Sequence, residues 1–202
     1  TAAGRIYTAN QFASNEQILV HARDANGNAA PVRTFHATTG GGNTPLGICI
    51  DANDHVWVTY NNNIINEFAA GASGAVAPLR TIDTLGTGIA GTRGIGIDSH
   101  GQIYVSGHDA SKILVYAANA TGTATPIHVI EGASTQLTNQ MGLVIAPNDD
   151  LIVSSRDQVL RFAYGADGNV APIGSIVSPR FSNYEGPNGV ALDNAGNVYV
   201  TD

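Results

Sequence analysis

Three aspartates recur in one local setting: Asp51 in GICID, Asp98 in GIGID and Asp193 in GVALD. A carboxylate that ends a short apolar run can accept backbone N–H bonds from the turn that follows. It can also ligate a cation together with oxygens brought from elsewhere in the chain. Repetition favours the first role, because a single metal site needs different groups that converge once. A fourth copy, GLVIA, carries Ala146 in that place, followed by Pro147. The functional candidates are therefore the polar residues that do not repeat. They fall in loops: Asn10, Gln11, Asn15 and Glu16; Tyr60, Asn61 and Asn62; His108 and Asp109; Arg156 and Asp157. The longer connections add His36, Asn43, Arg93, Gln140, Arg180, Tyr184, Glu185 and Asn188. Asn10, Tyr60, Asn61, Arg93, His108, Asp109, Arg156 and Tyr184 form the candidate binding set, suited to a small molecule, a glycan or a peptide. No residue in the pattern is assigned as catalytic or as a metal ligand. Cys49 is the only cysteine, so no internal disulfide can form. It reads as a small buried hydrophobe, since no local motif offers a base to activate it.

The elements that must position these loops repeat about every 47 residues, as Gly47, Gly94, Gly142 and Gly189 show. Residues 94–141 are a clear unit. GIGID is a first strand, QIYVS a second, KILVYA a third and TPIHVI a fourth. SHG and ANATGTA supply turns, with Gly101 and Gly122 able to take positive φ. Pro31, Pro78, Pro126 and Pro172 each begin a fourth strand. Proline cannot donate to a ladder, so this strand is an outer edge. The strands are nearly continuous in apolar residues, so both faces of each small sheet are covered.

These features predict an all-β chain, a β-propeller of four-stranded antiparallel blades. About four blades and a partial one are expected, with repeats near 4–46, 47–93, 94–141, 142–188 and 189–202. Residues 1–202 form one repeat array. Trp57, Tyr104 and Tyr199 fall at one equivalent position, predicted to pack between adjacent blades. The array opens on a second strand, Arg5–Thr8, and closes on another, Val198–Thr201. It is therefore expected not to close a ring alone, to belong to a longer chain, and to offer open edges for self-association.

Composition narrows the partners. Net charge is −7 and Lys112 is the only lysine, which argues against nucleic acid. No run of apolar residues is long enough to span a membrane. Charged residues make up 12% of the chain, so acids and bases for chemistry are few.

The pattern G-[IV]-x-[IL]-D-x-x-G-x-[IV]-Y-V-[TS], followed by an I-x-x-[YF]-A strand, resembles NHL-repeat proteins and their six-bladed propeller relatives. GVALDNAGNVYVTD (189–202) carries it most fully. GASGAVAP (71–78) and GADGNVAP (165–172) are similar to turns of secreted bacterial propellers. The resemblance implies a secreted protein and covers the whole chain. Its lactonase-type relatives bind calcium through Glu, Asn and Asp at the inner blade ends, and its lyase-type relatives use histidines with a metal. His108 is the histidine expected in a loop at the channel mouth, and His36 is expected to approach from a connection between blades. His21, His55, His100 and His128 fall in strands or on the opposite face. The expected function is a non-enzymatic extracellular binding or assembly module, with no cofactor. The alternative is a metal-dependent lactonase or lyase at the mouth of the central channel, for which calcium is the expected ion.

Overall fold

The computed structural model describes residues 4–10, 16–38, 44–89, 91–108, 110–179, 181 and 186–201. The chain is all-β and forms a propeller. The first blade carries β1 (Ile6–Ala9), β2 (Ile18–His21) and β3 (Arg33–Ala37). The second carries β4 (Pro45–Ile50), β5 (Val56–Tyr60), β6 (Ile64–Phe68), a short β7 (Gly74–Val76) and β8 (Arg80–Asp83). The third carries β9 (Thr92–Ile97), β10 (Ile103–Gly107), β11 (Lys112–Tyr116) and β12 (His128–Glu131). The fourth carries β13 (Gln140–Ile145), β14 (Leu151–Ser155), β15 (Gln158–Phe162) and β16 (Gly174–Val177). β17 (Gly189–Leu192) and β18 (Val198–Thr201) form a two-stranded sheet. The helical structure described is one 3-10 turn at Ala133–Thr135.

Each blade is an antiparallel meander, as tight turns between consecutive strands require. The first strands β4, β9, β13 and β17 lie side by side in chain order. Their glycines allow this approach. A Cβ on Gly47 would lie 1.9 Å from the Arg93 carbonyl oxygen, and one on Gly142 would lie 2.7 Å from that of Asn188. The first strands begin at Pro45, Thr92 and Gln140 rather than at the glycine, because the pairing with the second strand shifts register near their start.

The core lies between blades. Trp57, Ile65 and Ile82 of the second blade meet Ile95, Val105, Leu114 and Tyr116 of the third. Tyr104, Ile113 and Val115 meet Leu143, Val153 and Leu160 of the fourth. Phe35 and Phe68 cross edge to face, 5.2 Å apart, between the first and second blades. Trp57 and Tyr104 are buried as expected, opposite Cys49 and Gly96. Tyr199 holds the same register position, opposite Ala191, yet is 58% exposed. The expectation that it packs between blades is corrected: among the described residues no blade covers that face of β18.

The turn between third and fourth strands fastens each blade to the one before it. β7 pairs in parallel with β3, Phe35 opposite Gly74. Gly122 and Gly168 bridge Ile82 and Ile130 in the same way. The Gly122 N–H donates to the Thr81 carbonyl at 2.7 Å, and its own carbonyl accepts from the Asp83 N–H at 2.7 Å. Phe35, Ile82 and Ile130 are consequently buried, whereas the equivalent Ile176 of β16 is 46% exposed.

Candidate functional site at the channel mouth

Four residues stand immediately before the repeated glycines: Leu46, Arg93, Met141 and Asn188. Because β4, β9, β13 and β17 are neighbours, these residues converge around a cavity of about 280 Å3 at one end of the channel. Below it, two to four residues further along the same strands, lies a cavity of about 370 Å3 whose lining includes Ile48, Cys49, Ile97, Val144 and Ala191.

A buried hydroxyl fixes the starts of β4, β9 and β13. Thr59 Oγ1 accepts the Gly47 N–H at 2.8 Å and donates to the Arg93 carbonyl at 2.8 Å. Ser106 Oγ accepts from Gly94 N–H at 2.9 Å. Ser154 Oγ accepts from Gly142 N–H at 2.8 Å and contacts the Asn188 carbonyl at 3.3 Å. The hydroxyls of Thr59 and Ser154 thus tie their own blades to the mouth residue of the next, Arg93 and Asn188. The sequence carried this signal as the [TS] that closes each Y-V-[TS] run.

The loops between second and third strands open at this end. Asn61 N–H donates to the Thr44 carbonyl at 3.1 Å, and Tyr60 lies opposite Pro45. Tyr60 is buried, and burial pushes its phenol up to about 12. Its carbonyl accepts from Thr92 Oγ1 at 2.7 Å. His108 N–H donates to the Gly91 carbonyl at 3.3 Å, so its loop lies beside the strand that carries Arg93. Asn10 closes the first loop by donating its N–H to Gln17. Arg156 is exposed on the fourth loop, with φ 41°. Asp109 and Tyr184 lie outside the described residues, as do Gln11, Asn15, Asn43, Arg180 and Glu185. His36 sits in β3, paired with Ala75 of β7 on the outer side of its blade rather than in a connection.

Sequence reasoning missed Leu46 and Met141, because apolar residues carry no chemical flag; their place before the glycine could have found them. It also missed Asn63. Its amide oxygen accepts from the Gly91 N–H at 3.2 Å, and its carbonyl accepts from the Thr84 N–H and hydroxyl. Asn63 holds the left-handed conformation, φ 67°, which asparagine tolerates.

Arg93 sets the charge of the mouth. Its Nε is buried with no hydrogen-bond partner, and among the described residues no carboxylate pairs with it. Among the described residues the cavity lining holds no acid. A divalent cation does not fit beside that guanidinium, so no step through calcium is derived. The one described group of metal-type ligands, Asp51, His55 and Glu67, lies at the opposite end of the second blade. Its donors are already engaged. His55 Nδ1 is 2.8 Å from Glu67 Oε1, and Arg80 Nε donates to Glu67 Oε2. Asp51 accepts the Asn53 and His55 N–H groups and, at 3.1 Å, Trp57 Nε1. Asp98 and Asp193 hold their turns in the same way, reaching Tyr104 and Tyr199 with the second oxygen. The repeated aspartates are turn anchors. Where Ala146 replaces the fourth, Asp150 takes its own set of bonds, from Asn148, Arg161 and the Tyr164 N–H. Cys49 is pushed upward in pKa, chiefly by burial.

No family model and no curated protein sequence matches the chain. Solved structures do. One, described as a streptogramin B lyase, superposes with a TM-score of 0.70 at 12% identity, over 99% of this chain and 59% of that one. A second is a catalytically inactive virginiamycin B lyase from Staphylococcus aureus with quinupristin. It gives a TM-score of 0.63 at 14% identity, over 98% of this chain and 63% of that one. The chain thus spans about three fifths of the length of these neighbours. The likeness establishes the propeller fold. It also corrects the expectation of a non-enzymatic binding or assembly module: these two neighbours are named as lyases.

Proposed function

We propose that this chain belongs to a propeller enzyme of the lyase class, working at the channel mouth. The observation that carries the reading is the ring of Leu46, Arg93, Met141 and Asn188 around an open cavity, in a fold shared with two lyases. An elimination needs a base for the departing proton and a group to stabilise the charge that develops on the leaving side. His108, on the loop beside Arg93's strand, is the group proposed to move the proton. Arg93 is proposed to stabilise the developing negative charge. Both act without a metal in this reading. The NHL-type assignment and a secreted location rest on the repeat pattern and its turns, and belong to the same proposal.

The test is incubation of the protein with quinupristin, the ligand of the second neighbour, followed by mass spectrometry. An elimination cleaves a bond without adding water, whereas a lactonase adds one. A cleaved product without added water, lost in His108→Ala and reduced in Arg93→Ala, is expected. An intact ligand, or a hydrated product, would sink the lyase reading for this substrate.

A further inference from the structure

We propose that the fourth blade carries an acceptor groove for one polypeptide segment of the form (F/Y)-A-x-x-A-x-G, presented by a partner chain and laid between β16 and β18. The groove is separate from the mouth, and the inference does not depend on the reaction proposed there.

The chain itself shows what such a groove takes. FAAGASG (68–74), YAANATG (116–122) and FAYGADG (162–168) each run from the end of a third strand into the turn that follows. Each packs on the blade before it in the same way. Phe68, Tyr116 and Phe162 are fully buried between blades, and Ala72, Ala120 and Ala166 pack in the same clusters. The glycine then lies in parallel opposite one residue of the preceding fourth strand: Gly74 on Phe35, Gly122 on Ile82, Gly168 on Ile130. Two backbone bonds fix it. Gly168 N–H donates to the Val129 carbonyl at 2.8 Å, and the Gly168 carbonyl accepts the Glu131 N–H at 3.2 Å.

In the fourth blade Ile176 holds the place of Ile82 and Ile130, opposite Val159 as they are opposite Ile65 and Ile113. Ser175 and Val177 hold the places that accept from and donate to the glycine. β16 is exposed along its whole length. Beside it lies a mainly apolar cavity of about 480 Å3, lined among the described residues by Ile152, Leu160, Ile176, Leu192 and Val198 with others. A cavity of about 150 Å3 holds benzene, so this one admits an aromatic ring and an alanine methyl. β17 and β18 form its far wall, and among the described residues no third strand pairs with β18. Backbone bonds along an open edge supply affinity, and the pocket for the alternate side chain supplies specificity. A second copy of the chain does not fit. Its equivalent segment, HARDANG (21–27), puts His21 in the aromatic position. That segment is also tied through β2 to β1, a second strand whose place β18 already fills.

The probe is a synthetic peptide of residues 158–170, QVLRFAYGADGNV, titrated by calorimetry against the whole chain. Saturable one-to-one binding is expected. Phe162→Ala in the peptide should weaken it at least about tenfold, because the buried ring is lost. Gly168→Val should do as much, since this glycine sits at φ 67° and a β-branched residue resists positive φ. In the protein, Ile176→Asp should weaken binding at least about tenfold by placing a charge against the apolar segment. Val177→Pro should also weaken it, because the N–H that meets the glycine carbonyl is removed. Both positions are exposed, and circular dichroism melts confirm that the variants fold. The peptide of residues 17–29, QILVHARDANGNA, should bind at least about tenfold more weakly, for want of the aromatic residue. No binding, equal binding of the 17–29 peptide or of the probe with its sequence reversed, or binding unchanged by Ile176→Asp would each overturn the proposal. So would dimerisation of the chain by itself in sedimentation equilibrium, if Ile176→Asp abolished it, for the groove would then belong to a second copy.

Discussion

Replacing Thr59 with valine tests whether the repeated hydroxyl holds the mouth together. Valine keeps the shape of threonine and removes only the oxygen. Thr59 is fully buried, and its oxygen satisfies two backbone groups, the Gly47 N–H and the Arg93 carbonyl, each at 2.8 Å. A buried polar group left unpaired costs about 1–3 kcal/mol. Two such groups give a loss of roughly 2–4 kcal/mol, allowing for partial relaxation. For a domain of this size that lowers the thermal midpoint by about 4–16 °C. Thr201 is the internal control. Its Oγ1 accepts only the Gly189 N–H, at 2.9 Å, and it is exposed. Thr201→Val should therefore cost no more than about 0.5 kcal/mol. Urea unfolding followed by fluorescence, in which Trp57 is the sole tryptophan, measures both variants. A Thr59→Val protein within about 0.5 kcal/mol of the parent would refute the bridging role. So would equal losses at the two positions. Because the same hydroxyl holds the Arg93 carbonyl, Thr59→Val should also weaken any ligand that needs Arg93, whereas Thr201→Val should not.

The other expectations follow from burial and charge. Trp57→Ala should cost roughly 3–5 kcal/mol and Tyr199→Ala less than about 1, although the two share a register position; equal losses would show that inter-blade packing does not set the cost. Ile82→Ala, under the Gly122 turn, should cost about 2–5 kcal/mol, and Ile176→Ala well under half of that, as paired thermal melts would show. Asp149 is held below the ordinary carboxylate range, first by the Ser99 hydroxyl and N–H. At Asp150 burial opposes ionisation, but the bonds from Asn148, Arg161 and the Tyr164 N–H outweigh it. Both folded-state values are depressed, so their stabilisation is complete above the unfolded carboxylate pKa near 4 and is lost as pH falls through the lower folded values. Ser99→Ala should raise the Asp149 value and move the acid limb of the melting curve to higher pH; an unmoved limb would contradict this.

What the sequence determined by itself was the repeat and everything local to it. A strand needs only an apolar run between turn residues, so Ile103–Gly107 and Lys112–Tyr116 could be read directly. The carboxylate of Asp98 serves a turn two to four residues away, and that role was equally legible. The prolines marked the outer strand because a missing N–H is a local fact. Tertiary structure decided whatever depends on which blade stands beside which. Tyr104 and Tyr199 lie in near-identical sequences, yet one is buried and the other exposed, because burial belongs to the neighbouring blade and not to the strand. Ile82 and Ile176 differ for the same reason. The ring of Leu46, Arg93, Met141 and Asn188 brings together residues about 47 positions apart, and two of them are apolar. No single blade contains that cavity. The glycines that follow let the strand starts crowd onto one axis, and the hydroxyls of Thr59 and Ser154 hold them there. Only when the blades are stacked does Arg93, with its Nε buried and unpartnered, come to stand at the mouth beside Leu46, Met141 and Asn188.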